Sequence, residues 1–296
     1  MKLFVTGGTG FVGAPFVKEA ISNGHQILGL ARSDESAAAL KAVGAEIIRG
    51  DLEDLDVLRK GSKESEGVVH IGFVQDFENF QNSLEIDQRA VKAMLESLEG
   101  TNKFFAYTNG LLVLPTKKGE TADESTPITY EDSMVLLRKY TEKLALSYAS
   151  KGVRVVSVRL ALSVHDKGDR AFIGLLMENA KKNHVSYYVE DGENVWSAVH
   201  RDNAAVLYRL AVEKAPAGSI LHAVAELVPA KKIAMAIAEA TNIPVDSISS
   251  AQAVEKLGFI GTIIQINSDI SSEKTRSLLG WVPTKLDLLS DIKENY

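Results

Sequence analysis

The chain contains no cysteine. That removes disulfides, thiolate metal sites and a cysteine nucleophile from the chemistry open to it. It also lacks any apolar run near the roughly 18 residues needed to span a bilayer, so no membrane partner is expected. Histidine is scarce, with 6 in 296 residues and none in an H-x-H or i,i+4 pair, and such spacing predicts no metal site. Basic clusters are missing too. With 33 Lys and Arg against 39 Asp and Glu, the formal net charge is −6, which argues against a nucleic-acid surface. The opening MKLFVTGG runs straight into a strand and a glycine turn without a signal-peptide pattern, and the expected location is the cytoplasm.

What is present is an ordinary globular composition, 45% hydrophobic and 24% charged, long enough for one large domain with a smaller partner. Up to residue 160, the runs KLFVTG, QILGL, EIIRG, GVVHIGF, KFFAYTN and VRVVSVRL read as strands, being short, apolar and bounded by glycine or polar residues. Helix-period segments separate them, among them FVGAPFVKEAISN and SMVLLRKYTEKLALSYASKG. The alternation predicts an α/β protein: a Rossmann-type, doubly wound parallel sheet with helices on both faces. Beyond residue 160 the pattern loosens into a smaller, mostly helical C-terminal substrate lobe. The expected boundaries are 1–165 for the nucleotide-binding domain, with returning segments at 195–225, and 166–194 with 226–296 for the lobe.

VTGGTGFVG, residues 5–13, follows the first strand and opens the first helix. Gly7 permits a tight turn, Gly10 lets backbone approach a pyrophosphate, and Gly13 lets helix and strand pack closely, with free helix N–H groups facing the anion. Thr6, Thr9, Phe11 and Val12 complete the expected loop. The T-G-x-x-G-x-x-G spacing resembles the short-chain dehydrogenase/reductase superfamily, in its extended branch of NAD-dependent epimerase/dehydratase-like proteins. Other landmarks follow in register. Asp51-Leu52 looks like the family's adenine-contacting pair, and VVHIGF, with Ile71, Gly72 and Phe73, resembles the segment bordering the ribose. EIDQRAVKAML is similar to the helix carrying an asparagine, with Asp87 in its place. The likeness continues through RLALSVHDKGD, WSAVHRDNAA and SSEKTRSLLGW, nearly the whole chain.

The second strand ends Leu30-Ala31-Arg32-Ser33, with no acid for ribose hydroxyls. Arg32 offers a two-pronged donor to a 2′-phosphate, so NADP(H) is expected ahead of NAD(H). The alternative leaves Arg32 solvated and gives the ribose to Asp34.

The resemblance implies a Tyr-x-x-x-Lys pair on the helix after the fifth strand, where lysine lowers the phenol's pKa and the phenol moves the carbonyl proton. None of the 8 tyrosines here is followed four residues later by lysine. Aligning Glu142 with the family's acid puts Met134 at the tyrosine position and Arg138 at the lysine position. Methionine has no proton to give, while Arg138 keeps a charge for cofactor ribose or phosphate. Tyr140 lies about 240° around the helix from position 134, facing core or solvent.

Four side chains remain as candidates for the chemistry. Thr108, beside Asn109, stands where the family has hydroxyl residues, as a substrate hydrogen-bond donor or merely a strand-end contact. Tyr187 and Tyr188 come from the lobe; if extended, at most one of them faces the cleft, as a substrate contact or acid, with ordinary lobe packing as the alternative. His165 replaces the tyrosine of a turn near the cofactor; histidine as a residue type suits acid work, and a structural role is the alternative. His200, beside Asp202, is read as an anchor of the lobe. These residues predict an NADPH-dependent reductase of a small activated carbonyl (aldehyde, ketone or cyclic hemiacetal), with a homodimer allowed. Two alternatives stand beside it: a non-catalytic NADP(H)-binding sensor or scaffold, and a nucleotide-sugar epimerase or dehydratase. The last needs the tyrosine most.

Overall fold

The computed structural model describes every residue except 77, 78, 130 and 132; the side chains of 133–135, Met134 among them, also lie outside the described part. The first half alternates as expected: β1 (Lys2–Thr6), α1 (Gly13–Ser22), β2 (Gln26–Ala31), α2 (Asp34–Ala42), β3 (Glu46–Arg49), α3 (Leu55–Lys63), β4 (Gly67–His70), α4 (Phe80–Glu96), β5 (Phe104–Gly110), α5 (Ser133–Ser147) and β6 (Arg154–Leu160). There follow β7 (Ser163–His165), α6 (Phe172–Asn183), β8 (Ser186–Val189), β9 (Val195–His200), α7 (Arg201–Lys214), β10 (Ile220–Ala223), β11 (Glu226–Pro229), α8 (Ala230–Thr241), β12 (Val245–Ile248), α9 (Ser250–Leu257), α10 (Phe259–Ile263), α11 (Glu273–Leu279) and α12 (Leu288–Asn295).

Seven strands form one sheet in the order β3-β2-β1-β4-β5-β6-β10, and every neighbouring pair is parallel. Strand alternation divides its side chains between two layers. Leu3 and Val5 pack with Phe16, Val17, Leu207 and Tyr208 on the face covered by α1 and α7. Phe4 joins Leu58, Val91, Met94 and Tyr148 on the opposite face. The chain reverses direction across the sheet between β1 and β4, which opens a crevice at the C-terminal strand ends.

Helices α1 and α7 lie side by side and run the same way. Phe16 meets Tyr208 with ring centroids 5.8 Å apart, Glu19 pairs with Arg209 at 2.6 Å, and His25 meets Glu213 at 3.3 Å. Their N-termini therefore open at the same end.

The lobe differs from expectation in three ways. It holds a three-stranded sheet, β11-β9-β7, and a two-stranded one, β12-β8; β7, β11 and β12, at 3, 4 and 4 residues, are too short to display a period. Strand β9, expected within the returning segment, pairs with β7 and β11 instead, so the return to the large sheet is made by α7 and β10. Ile270, Leu279 and Trp281, expected in the lobe, pack into the large domain's core, where Trp281 Nε1 donates to Asn203 O at 3.0 Å. The lobe has its own core around Ile173, Trp196, Ile233, Ile237 and Ile292.

Candidate functional site

The glycine turn leaves β1 at the crevice. Gly7 has φ +71°, and a side chain there would meet Gly72 N at 2.6 Å. A side chain at Gly13 would collide with the Gly7 carbonyl, so strand and helix can approach only through glycine. The N-cap of α1, Val12, supplies no side-chain acceptor, and its first turn has no acid. Thr9 and Gly10 are exposed, with Phe11 and Val12 half-buried. Uncapped N–H groups at an open helix end fit a diphosphate.

From this turn a continuous polar chain runs through the sheet ends. Gly72 N donates to Thr6 Oγ1 at 3.1 Å, and Thr6 Oγ1 lies 2.7 Å from His70 Nδ1. His70 Nε2 lies 3.1 Å from Asp87 Oδ1, while Asp87 Oδ2 accepts from Tyr107 at 3.2 Å and from Arg138 Nη1 at 3.0 Å. Arg138 Nη2 donates to Thr108 O at 2.7 Å, and its guanidinium carbon stands 5.0 Å from the Phe73 ring centroid. Burial alone would raise the Asp87 carboxyl, but the Arg138 charge, with His70 and Tyr107, outweighs it and holds the group below the usual carboxylate range. The Tyr107 phenol is pushed well above its ordinary value, by burial first, and stays protonated.

Glu142 fixes the rotation of α5. Its carboxylate accepts from Arg159 Nε at 2.9 Å and Nη2 at 2.8 Å, an acid–arginine fork. One turn earlier on the same face stands Arg138, aimed at Asp87. Tyr140 is 48% exposed and points away.

At the far end of the crevice, Arg32 is exposed and makes no ion pair among the described residues. Asp34, the alternative ribose ligand, is held 3.0 Å from Arg49 Nη2, and Ser33 caps α2 through Ser36. Asp51 Oδ1 accepts from Glu53 N at 2.8 Å, and Leu52 beside it is half-buried. Ile71, Gly72 and Phe73 are half-buried between the two ends.

The expected catalytic candidates are not brought together. Thr108 Oγ1 is engaged by Tyr208 OH at 2.7 Å. Tyr187 and Tyr188 do not divide between cleft and lobe: both line an apolar hollow inside the lobe with Trp196, Ile233 and Leu257, because β8 packs chiefly on α6, α8 and β12. His165 is fully buried, with Nδ1 2.7 Å from Asp291 Oδ2 and its ring edge-on to His200 at 5.5 Å. His200 caps α7 by accepting from Asp202 N at 3.1 Å. Spacing had shown no metal group, yet the fold brings ligand atoms of Asp166, His200 and Asp291 within 4.8 Å of one another. His165 and Asn295 bond Asp291, and Arg201 pairs with Asp166, so these carboxylates already have partners.

Sequence reasoning missed Arg49, His70, Tyr208 and Arg201. Only His70 had a signal, a polar residue inside an apolar strand.

The NAD dependent epimerase/dehydratase family model matches residues 3–223. The chain belongs to that family. Within it, an uncharacterised protein of Saccharomyces cerevisiae is 50% identical over 299 residues, covering 100% of this chain and 99% of its own. The 2-alkyl-3-oxoalkanoate reductase of Stenotrophomonas maltophilia is 24% identical, over 74% of this chain and 67% of its own. The dTDP-glucose 4,6-dehydratase of Streptomyces venezuelae, solved with NAD bound, superimposes with a TM-score of 0.81 at 17% identity, over 100% of this chain and 95% of that one. This family member thus shares the parallel nucleotide-binding fold, in a family of oxidoreductases, epimerases and dehydratases.

Proposed function

We propose that the protein is an NADPH-dependent reductase of a small activated carbonyl that works without the Tyr-x-x-x-Lys pair. The observation that carries this reading is the tether of Arg138, through Asp87 and His70, to Thr6 of the glycine turn. It fixes a cation at the strand ends where a cofactor ribose or phosphate would lie. Thr6 to Gly13 would hold the diphosphate, Arg32 and Ser33 the 2′-phosphate, Asp51 and Leu52 the adenine, and Ile71 to Phe73 with Arg138 the ribose. The bound cofactor supplies a hydride.

The chain's own residues would bind and orient the reactants. Positioning alone lowers a barrier substantially, whereas a proton donor typically adds about 10²- to 10⁴-fold. An acceptor already electrophilic can forgo a side-chain donor, the alkoxide formed by hydride transfer taking its proton from water. The reductase relative in Stenotrophomonas maltophilia supports the reaction class, and the exposed Arg32, in no ion pair among the described residues, supports NADP(H) over NAD(H).

One set of contacts favours a second reading, a non-catalytic NADP(H)-binding scaffold: the Tyr107 and Tyr208 phenols beside the site are both taken, by Asp87 and Thr108. Calorimetric titration with NADPH and NADH, followed by assay against a carbonyl panel, separates the readings. Tight NADPH binding with turnover supports the reductase; tight binding without turnover supports the scaffold; no nucleotide binding defeats both.

A further inference from the structure

Arg201 opens α7 beside the glycine turn, and no part of the reading above uses it. Its guanidinium carbon stands 5.0 Å from the centroid of the Phe11 ring, and its Nε lies 2.6 Å from Asp166 Oδ2. The side chain is 29% exposed, and neither terminal nitrogen bonds an acceptor among the described residues. Asp166 therefore neutralises the Nε edge as an ion pair, without hydrogen-bond geometry, while the nitrogens of the terminal fork have no acceptor among the described residues. That fork is the part of arginine that grips phosphate oxygens two at a time.

The helix arrangement points the same way. Because α1 and α7 run parallel, the uncapped N-terminus of α1 lies beside Arg201 at the His200-capped start of α7, and both helix ends carry partial positive charge. The acid in the first turn of α7 is already matched, Asp202 lying 3.5 Å from Lys285 Nζ. Helix α7 packs over β5 and β6, away from β2 and β3, where Arg32 and Asp51 mark the adenosine end. Arg201 thus stands at the side of the glycine turn away from Arg32 and Asp51.

We propose that Arg201 is a binding residue for the cofactor's nicotinamide-side phosphate, contributed by the returning helix and braced by Asp166 and Phe11. This rests on the NADP(H) reading. The test is calorimetry with two probes: NADPH, and adenosine 2′,5′-bisphosphate, which keeps the adenosine end and lacks the nicotinamide-side phosphate. For Arg201→Ala the expected result is NADPH binding weakened about 10- to 100-fold, the range of a charged hydrogen bond, with the bisphosphate unchanged. Arg32→Ala should weaken both. Should Arg201→Ala not fold, Arg201→Gln, which keeps the stem over Phe11, is read by the same comparison. Unchanged NADPH binding, or equal weakening of both probes, overturns the assignment. Wild-type protein that binds neither probe overturns the NADP(H) reading itself, a result visible before any variant is made.

Discussion

Arg138 and Asp87 form a buried ion pair, 3.0 Å from Nη1 to Oδ2. Each charge is tolerated at this depth only with the other. Arginine alone would bury a charge, and aspartate alone would leave a carboxylate beside Tyr107 and His70 without a cation. The pair also bridges α4 and α5 at the end of β5, because the same guanidinium donates to Thr108 O.

Arg138→Met strands the Asp87 carboxylate. Breaking one side of a buried pair costs about 3–5 kcal/mol, and urea unfolding should show a loss of that size. The double variant Asp87→Leu/Arg138→Met should recover much of it. A single-variant loss under about 1 kcal/mol, the scale of an exposed pair, would contradict the burial argument.

Arg32→Ala should weaken NADPH about 10-fold or more, the worth of a charged hydrogen bond, and leave NADH binding unaltered. Titrating both cofactors against wild type and variant checks this. An equal effect on both would remove Arg32 from a 2′-phosphate site.

Tyr187→Phe and Tyr188→Phe should leave kcat within about twofold, since both rings line the lobe's own hollow and a lost proton donor would cost about 10²-fold or more. A hundredfold loss in either variant would return that phenol to the chemistry.

Stability should fall as pH drops below the unfolded-state histidine pKa of about 6.5. Burial, the largest influence, lowers the His200 pKa against the opposing pull of Asp166 and Asp202. The unfolded chain therefore takes up this proton more readily, so the contribution is present above the unfolded value and is lost on acidification. Chemical unfolding at pH 7.5 and 5.5 should show the loss, with a shallower slope in His200→Gln; equal slopes would exclude His200.

The large sheet was legible because its signals are local: short apolar runs, glycines at fixed offsets, helical periods. Glu142 also carried real information, since its fork with Arg159 sets the helix face that Arg138 shares. The polar chain was not legible, because Thr6, His70, Asp87 and Arg138 come from four separate elements and meet only at the strand ends. For Tyr187 and Tyr188 the sequence left cleft and lobe packing both open, for the opposite reason. Alternation correctly separates the sides of a strand, but it cannot say that β8 belongs to a small sheet whose neighbours enclose both rings.

The central claim is hydride transfer from a bound cofactor without a Tyr/Lys pair. The most direct measurement is stopped-flow absorbance of reduced nicotinamide, with enzyme saturated by NADPH and mixed with a panel of aldehydes, diketones and cyclic hemiacetals. The account predicts an enzyme-dependent loss of absorbance with at least one activated acceptor. Saturated binding with no loss against any acceptor would contradict it.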